Sequence, residues 1–361
     1  MHSHIDDLLD PALLARSLDA GFVRVQTHPT LPLRIFNYAE KAVFEREWNE
    51  VTRQCRGLVI DHQGRILARP YAKFFNYSEH PEDTFDLDDA VVVTDKLDGS
   101  LGILYPLPDG GHAIATRGSF ASDQALHATK IWQERYADTA SIKPGVTYLF
   151  EIIFPENRIV CDYGALDDLV LLGGIDIATG IPLPADELPW DGPRVDTFAF
   201  NTLADALAAA PRPGAEGFVL RFPAHDNTMI KIKQDDYVAL HRIITGLNTR
   251  AVWERLGAGD TVAEICDGLP NEFHDWVKDV AVDLMRQRDT ILTEAGAEHQ
   301  RILDGLPEGW TRKKYAVLAS RSPMRAWLFM LLDGRDPSAR ILHTLRPEAD
   351  VRPVNTAEDK S

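Results

Sequence analysis

The strongest constraint on the fold of this chain is a change in the spacing of its apolar residues near residue 245. Up to about residue 240, short segments rich in β-branched and aromatic residues alternate with turns rich in Gly, Pro and Asp, which predicts strands. Beyond that point Phe273, Val277, Val280 and Leu284 follow one another at helical spacing. We therefore predict an α+β fold, in which a domain of mixed sheets and helices precedes an all-helical domain.

The expected elements and domain boundaries follow from these patterns. Strands are predicted at 57–61, 65–70, 90–97, 100–107, 147–154, 169–176, 216–222 and 229–233. Helices are predicted at 122–136, at 203–210 before Pro211, from a capping Asn271 after Pro270 to about Ile291, at 312–319 and at 323–332. The predicted domains are residues 1–242 and 243–345, and the polar residues 346–361 are predicted to be disordered.

The charge distribution limits how the chain can bind nucleic acid. A formal net charge of -17 argues against non-specific coating of nucleic acid, which requires many Lys and Arg to neutralise phosphates. A local positive surface is still compatible with this charge, because the stretch 53–73 contains one acid, Asp61, and five basic residues: Arg53, Arg56, Arg65, Arg69 and Lys73. The same pattern is equally typical of a solvated strand face.

The cysteines and the N-terminal segment indicate a compartment. Cys55, Cys161 and Cys266 are far apart and lack the spacing of a zinc site or a disulfide framework. Residues 1–10 include acids where a secretion signal needs basic residues, and the chain has no apolar run long enough to cross a membrane. We expect a soluble cytoplasmic protein without a membrane partner.

Lys96 stands at the end of a predicted strand, directly before a turn that contains Asp98 and Gly99. An Asp-Gly pair between apolar segments is a common hairpin turn, because glycine tolerates the positive φ that such a turn requires. The alternative is a covalent enzyme, in which the Lys96 amine attacks the α-phosphorus of a nucleoside triphosphate. The attacking amine must be neutral, so its pKa must be lowered by burial or by neighbouring positive charge.

Four further charged residues fit the covalent interpretation. Period-two alternation puts Lys231 and Lys233 on one strand face, where two cations could depress the pKa of the nucleophile and hold phosphates. Glu151 and Glu216 lie in strand-like apolar segments and supply carboxylates, which Mg²⁺ and a ribose hydroxyl require. The alternatives are an ordinary exposed strand face for the lysines, an ion pair of Glu151 with Arg158, and a loop position for Glu216.

A series of motifs in a fixed order connects this region with a known family. They are RIFNY (34–38), CRG (55–57), KFFN (73–76), KLDGS (96–100), RGS followed by QAL (117–126), FEIIFPENRIV (150–160), EGFV (216–219) and KIKQDDYVALH (231–241). On these motifs the chain resembles the ATP-dependent RNA ligase 1 family, typified by the bacteriophage tRNA-repair ligase and part of the covalent nucleotidyltransferase superfamily. The resemblance implies an N-terminal nucleotidyltransferase domain that uses ATP and Mg²⁺, with Mn²⁺ as an alternative cation.

The resemblance also implies roles for the basic residues. Lys96 would be the nucleophile that takes AMP as a phosphoramidate. The residues that would contact the nucleotide phosphates are Arg56, Lys73, Lys231 and Lys233.

Four other residues match family positions. The resemblance places Tyr38 in the ATP site, assigns Glu151 to nucleotide contact or sealing, and links Glu216 to the metal. Tyr237 matches a tyrosine implicated in RNA sealing. Both tyrosines are also compatible with a purely structural place, in which each caps the core with its hydroxyl at water.

Two positions depart from the family pattern. The phage-type enzyme has lysine where this chain has Arg117, whose planar fork cannot deprotonate, so we expect Arg117 to contact phosphate or RNA and not to act as a nucleophile. The family's metal-linked aspartate in the C-terminal domain has its nearest counterpart in Asp260, after a gap in the match.

The predicted function is ATP-dependent joining of RNA ends that carry a 5′-phosphate and a 3′-hydroxyl, with a cleaved tRNA as the analogous substrate and the helical domain as the RNA-recognition part. The nearest alternative is a DNA ligase or an mRNA-capping guanylyltransferase. Those enzymes normally carry an OB-fold after the final lysine motif, where this chain turns helical. A non-catalytic RNA-binding relative is the second alternative.

Overall fold

The computed structural model of the protein describes residues 3–81, 83–235, 237–238, 246–267, 269, 271–348 and 351. These residues form two compact units, one within Met1–His241 and the other within Arg242–Pro353. The first unit combines three sheets with helices, whereas the described secondary structure of the second is helical. The predicted α+β fold class is thereby confirmed.

The strands of the first unit form three sheets. One sheet has the order β1-β2-β3-β4, the central sheet the order β11-β10-β9-β7-β8, and the third the order β12-β6-β13-β14-β5. The strands are β1 Val23–Thr27, β2 Leu33–Tyr38, β3 Arg56–Asp61, β4 Ile66–Ala68, β5 Phe75–Asn76, β6 Val92–Lys96, β7 Ser100–Pro106, β8 His112–Ala115, β9 Val146–Ile153, β10 Asp168–Asp176, β11 Pro182–Leu183, β12 Thr197–Phe198, β13 Gly217–Phe222 and β14 Thr228–Lys233.

The described helices occur in both units. Those of the first unit are α1 Ile5–Leu8, α2 Pro11–Asp19, α3 Glu40–Glu45, α4 Glu50–Gln54, α5 Asp123–Ile131, which continues as one π-turn at Trp132–Tyr136, and α6 Leu203–Leu207. Short 3₁₀ turns lie at Tyr77–Glu79, Pro155–Asn157 and Ala185–Glu187. Those of the second unit are α7 Thr249–Ala258, α8 Val262–Cys266, α9 Asn271–Asp304, α10 Arg312–Ala319, α11 Arg325–Leu332 and α12 Ser338–Thr344.

The central sheet is covered on both faces. Strand β9 is buried along its whole length, with alternate residues pointing to opposite faces. Phe150 and Ile152 pack in the cluster that contains Ile131 of α5, whereas Leu149 packs with Ile35 of the β1–β4 sheet. A strand that is buried on both faces has a nearly continuous run of apolar residues. The sequences of β9 and β10 show such runs, which is why both strands could be predicted.

The third sheet carries its core on one face only. Val93, Leu220 and Ile230 pack with Leu203 of α6. The opposite face bears Thr94, Val219 and Lys231, which are aligned in register across β6, β13 and β14 and line a cavity. This face is where the predicted site residues meet.

All eight predicted strands are present, with ends that differ by at most two residues. The prediction omitted β1, β2 and β8 and the shorter helices, and it also omitted α2. The sequence does contain an N-cap signal for α2, because Asp10 directly precedes Pro11 and its side chain accepts a hydrogen bond from the Leu13 amide. The helix predicted at 203–210 ends earlier, at Leu207, four residues before Pro211.

The helical unit is organised around α9, which begins at Asn271 and runs to Asp304, beyond the predicted end near Ile291. The predicted cap at Asn271 depends on its side chain, which lies outside the described part of the structure, as does Pro270. The helices predicted at 312–319 and 323–332 are α10 and α11, and their core contains Tyr315, Ala319 and Leu328. Most of the predicted tail, 346–361, lies outside the described residues.

Among the described residues, no helix combines the length and the apolar character that a membrane crossing requires. The three cysteines are buried free thiols.

Candidate active site

A cavity of about 280 Å³ in the first unit collects most of the residues that the sequence singled out. The predicted residues that line it are Tyr38, Arg56, Lys73, Lys96, Arg117, Glu151, Glu216, Lys231, Lys233 and Tyr237. They lie on strands of all three sheets and on the segments next to those strands, which explains why they are widely spaced in the chain. Asp260 belongs to the helical unit, where its carboxylate accepts from Arg255 Nε at 2.6 Å, and its metal role stays a prediction.

The turn after Lys96 is not a hairpin. Strand β6 ends at Lys96 in the third sheet, whereas β7 begins at Ser100 in the central sheet, and the two strands pair with different neighbours. The Asp98-Gly99 segment therefore carries the chain from one sheet to another. The hairpin interpretation was wrong because turn chemistry identifies a change of direction but not the sheet to which each strand belongs.

Strand register brings Lys96 and Lys233 to the two sides of one glycine. Gly217 pairs with Lys96 on β6 and with Lys233 on β14. Its φ is +149°, and a Cβ there would lie 2.0 Å from the Ile232 carbonyl oxygen. Only glycine allows the three strand ends to approach in this way.

Glu216, the residue before that glycine, joins the two lysines. Its carboxylate lies 2.6 Å from Lys96 Nζ and 2.9 Å from Lys233 Nζ, and its side chain is 3% exposed. Glu216 thus lies in a loop, directly before β13, and its carboxylate is also paired with cations. A buried carboxylate is tolerated because two cations compensate its lost hydration.

The electrostatics of Lys96 differ from the expectation that nearby cations lower its pKa. Burial disfavours the charged amine, but the carboxylates of Glu216, Glu151 and Asp98 outweigh burial and raise the pKa of Lys96. Burial likewise opposes ionisation of Glu216, and Lys96 and Lys233 reverse that effect and lower the pKa of Glu216. Lys96 is therefore an ammonium paired with Glu216.

The depressed pKa belongs to Lys231 instead. Burial, followed by the charges of Lys73, Lys96 and Lys233, lowers the pKa of Lys231 to about 7. Such a group repels further positive charge and attracts a phosphate, whose negative charge relieves the repulsion. Lys231 and Lys233 lie on the cavity side of β14 and Ile230 lies in the core, as the alternation predicts.

Asp98, which the sequence analysis did not assign a role, anchors the turn beside the nucleophile. It is 4% exposed, and its Oδ2 accepts from the amides of Val160 and Cys161 at 2.7 and 2.8 Å. Its Oδ1 accepts from the Tyr237 hydroxyl at 2.9 Å, and its own amide donates to the Tyr163 hydroxyl at 2.8 Å. The turn is therefore fixed at both its backbone and its side chain.

Glu151 fixes the next residue of the same turn. The Gly99 amide donates to Glu151 Oε1 at 2.9 Å, and a Cβ at Gly99 would lie 2.6 Å from the Ile152 carbonyl oxygen. Close packing of the turn on β9 thus requires glycine. Glu151 holds the turn through Gly99, and Tyr237 holds it through Asp98. Each residue therefore has a structural role in addition to the role that the family resemblance implies.

An arginine outside the predicted set holds the strand of the nucleophile. Arg212 donates from Nη1 and Nη2 to the two carboxylate oxygens of Asp95, both at 2.9 Å, and lies over the rings of Phe198 and Phe218. Its amide also donates to Gln234 Oε1 at 3.1 Å. Asp95 precedes Lys96 in a strand, and an acid at that position needs a partner, which is the sequence signal that could have indicated Arg212.

Aromatic and basic side chains form another wall of the cavity. Arg117 Nη1 donates to the Tyr38 hydroxyl at 2.8 Å, and its guanidinium lies 5.0 Å from the Tyr38 ring centre. Lys73 Nζ is 5.3–5.7 Å from the ring centres of Tyr38, Trp48 and Phe75. Burial, the largest effect, lowers the pKa of Lys73, and these cations give the wall a positive surface suited to phosphate.

A comparison with protein families assigns this chain. The model of a family described as RNA ligase matches residues 54–237, just over half of the 361 residues and nearly all of the cavity. The chain belongs to this RNA ligase family. The predicted resemblance is thereby confirmed at the level of the family.

Two sequence relatives illustrate how far the similarity extends. A Thermovibrio ammonificans protein named "Putative RNA ligase" is 30% identical over 215 residues, which cover 54% of this chain and 55% of the relative. Uncharacterized protein ORF64 of Ostreid herpesvirus 1 is 30% identical over 157 residues, 41% of this chain and 39% of the relative. The chain thus spans about half or less of the length of these relatives.

Solved RNA ligase structures resemble the chain more distantly. An archaeal ATP-dependent RNA ligase has 15% identity and a TM-score of 0.44, and the match covers 75% of this chain and 74% of that one. A Naegleria gruberi RNA ligase solved with pyrophosphate has 19% identity and a TM-score of 0.32, with 43% and 52% covered.

The carboxylates of the site suit a cation only in combination with a ligand. Within the described part of the chain, no three His, Cys, Asp or Glu residues gather into a metal cage. Mg²⁺ is commonly held by one or two carboxylates together with substrate phosphates and water. Glu216 fits that arrangement if it releases one of its two lysine partners.

Proposed function

We propose that this RNA ligase family member is an ATP-dependent RNA ligase that acts through a lysyl-AMP intermediate on Lys96. The observation that carries the proposal is the position of the Lys96 amine, which lies on a cavity lined by Arg56, Lys73, Lys231 and Lys233. The nearby cations can bind phosphates and stabilise charge that develops on the leaving group. The anchored turn holds the amine in place.

In the first step, the neutral amine of Lys96 attacks the α-phosphorus of ATP. A nitrogen–phosphorus bond forms, the bond from the α-phosphorus to the leaving oxygen breaks, pyrophosphate departs and the amine proton is lost to solvent. Because Glu216 stabilises the ammonium form, Lys96 must first release one proton to solvent, which requires that this pairing weaken when the nucleotide binds. A divalent cation, with Mg²⁺ as the proposed ion and Mn²⁺ as the alternative, would accompany ATP as part of the substrate, contact Glu216 and neutralise phosphate charge.

In the second step, an RNA 5′-phosphate oxygen attacks the phosphorus of lysyl-AMP, so that the nitrogen–phosphorus bond breaks and RNA-adenylate forms. In the third, a 3′-hydroxyl attacks the 5′-phosphate and AMP leaves. Tyr38, Arg117 and Glu151 are proposed to hold the nucleotide, and Tyr237 to act in sealing through its bond to Asp98.

The biological substrate proposed by analogy is an RNA with a 5′-phosphate and a 3′-hydroxyl, such as a cleaved tRNA. Residues 243–345 are proposed to recognise that RNA in the cytoplasm, with Asp260 as a proposed metal contact. These assignments rest on the family resemblance and not on the geometry of the cavity.

End joining tests this proposal directly. The protein is incubated with ATP, Mg²⁺ and a labelled oligoribonucleotide that carries a 5′-phosphate and a 3′-hydroxyl, and joined or circular product is resolved on a denaturing gel. Parallel reactions replace ATP with GTP, and RNA with nicked duplex DNA. Product formation with ATP and RNA supports the proposal, whereas sealing of nicked DNA alone identifies a DNA ligase. A protein that is labelled by α-labelled GTP and not by α-labelled ATP is a capping enzyme.

A further inference from the structure

A second cavity of about 210 Å³ adjoins the candidate active site within the first unit. The two cavities share the lining residues Tyr71, Lys73, Phe74 and Met229. The segment 71–74 therefore forms a partition with one cavity on each side. The further side is bordered by α4, the β10–β11 turn and the turn before β14.

Arg69, which lines this second cavity, is an unusual buried cation. The residue is 8% exposed, and Nη1 donates to the Ile177 carbonyl at 3.2 Å. Among the described residues its guanidinium makes no ion pair within 4 Å, although the charge of Asp176 offsets in part the burial that lowers the pKa of Arg69. A guanidinium carries five donors, and the hydrogen bond of Nη1 to Ile177 uses one of them, so donors remain for an oxyanion that enters the cavity.

The Arg69 guanidinium packs directly against a glycine, where a larger residue would not fit. Gly180 has φ +77°, and a Cβ there would lie 2.5 Å from Arg69 Nη2. The Arg69 amide is held separately, by donation to Thr147 Oγ1 at 2.8 Å. The planar group is thus fixed in orientation, which is the property that makes an arginine fork selective for oxyanions.

Two further cations line the same cavity. Arg53 lies in the last turn of α4, is exposed, and its backbone carbonyl accepts from the Lys73 amide at 2.7 Å. Lys73 extends from the partition between the cavities. Against Arg53, Arg69 and Lys73 the lining contains one carboxylate, Asp226, so the cavity has an excess of positive charge in a protein of formal charge -17.

We propose that this second cavity binds a phosphate group, which Arg69 receives through its fork and Arg53 at the entrance. The phosphate could come from an RNA strand or from pyrophosphate, which present the same oxyanion. Its place beside the candidate active site makes it part of the substrate or product path, and that part of the inference rests on the proposed ligase function. Phosphate binding itself does not.

Binding measurements with matched variants test the site. The probes are a 5′-phosphorylated oligoribonucleotide with a 3′ fluorophore, followed by anisotropy, and inorganic pyrophosphate, followed by calorimetry. Arg53→Ala and Arg69→Lys are each expected to weaken binding of one probe about tenfold, the cost of one charged hydrogen-bonding contact. If the ligand is RNA, Arg53→Ala should also reduce the slope of log affinity against log salt by about 0.7.

The control variant is Arg24→Ala, which removes an exposed arginine from β1 and should leave both affinities unchanged. Weaker binding of the oligonucleotide alone assigns the phosphate to RNA, and weaker binding of pyrophosphate alone assigns it to the product. Wild-type affinity of Arg69→Lys for both probes would overturn the inference, even if Arg53→Ala binds less, because the buried fork would then take no part. Thermal unfolding verifies that each variant is folded.

Failure of the ligase proposal gives a different result. If the wild-type protein forms no lysyl-AMP, the proposed function is refuted. If Arg53→Ala and Arg69→Lys nevertheless bind the probes more weakly than the wild type, the proposed phosphate site stands.

Discussion

Replacing Gly217 with alanine tests whether the strand register creates the site. The new Cβ would lie 2.0 Å from the Ile232 carbonyl oxygen, in a backbone with φ +149°. The strained φ costs about 1–3 kcal/mol, and relieving the overlap costs about 1–3 kcal/mol more. We expect a destabilisation of roughly 2–6 kcal/mol, which at about 2–4 °C per kcal/mol lowers the melting midpoint of the first unit by roughly 4–24 °C.

The matched control is Gly214→Ala, at φ +78° with no atom within 4 Å of the new Cβ. It carries backbone strain without overlap, so its midpoint should fall by much less. Calorimetry gives both midpoints, and labelling with α-labelled ATP at a temperature where both variants are folded gives the rate of lysyl-AMP formation. Because relief of the overlap must separate Lys96 from Lys233, Gly217→Ala should label at least tenfold more slowly than Gly214→Ala. Equal midpoints and equal labelling rates would refute the register argument.

Three further predictions concern the charges around the nucleophile. Asp98→Asn removes the negative charge and turns one of the two carboxylate oxygens, which together accept from two backbone amides and the Tyr237 hydroxyl, into an amide donor. We therefore expect a loss of about 1–3 kcal/mol of stability in chemical denaturation and slower labelling by ATP; unchanged values would contradict the anchoring role. Lys231 has a pKa of about 7, which a bound phosphate would raise. ATP binding at pH 8 should therefore take up protons, and ATP affinity should fall as the pH rises above 7. Calorimetry in buffers of different ionisation enthalpy should detect this proton uptake in the wild type and not in Lys231→Arg. Arg212→Ala should slow lysyl-AMP formation while ATP affinity stays within about twofold. Partial recovery of the labelling rate in Arg212→Lys would separate the effect of the positive charge from that of the two-pronged hydrogen bonding to Asp95. A change in ATP affinity alone would contradict the role of Arg212 in positioning β6.

The sequence predicted those parts of the fold that depend on local periodicity. The apolar runs of β9 and β10 and the alternation around Lys231 identify strands because burial on two faces or on one leaves a distinct pattern. The short strands β5, β11 and β12 contain two residues each and carry no period that could reveal them. They form because longer strands supply their hydrogen-bonding partners.

The site residues were visible in the sequence as an ordered series of motifs, whereas their electrostatics were not. The pKa of Lys96 was expected to be lowered, yet it is raised, because the Glu216 carboxylate lies beside the amine. Glu216 reaches that place because β6 and β14 both pair with Gly217, the residue that follows it. That pairing depends on contacts between residues more than a hundred positions apart. In the sequence Asp98 looked like a plain turn residue for the same reason, since the groups that donate hydrogen bonds to its carboxylate lie far along the chain, at Val160, Cys161 and Tyr237.

The central claim is that the amine of Lys96 becomes covalently linked to AMP, and peptide mapping tests it most directly. Protein incubated with ATP and Mg²⁺ is digested at neutral pH and analysed by mass spectrometry, with Lys96→Ala and the exposed Lys130→Ala as matched variants. We predict an acid-labile AMP adduct on Lys96 in the wild type and in Lys130→Ala, and no adduct in Lys96→Ala. An adduct on another residue, or equal labelling of Lys96→Ala, would contradict the account.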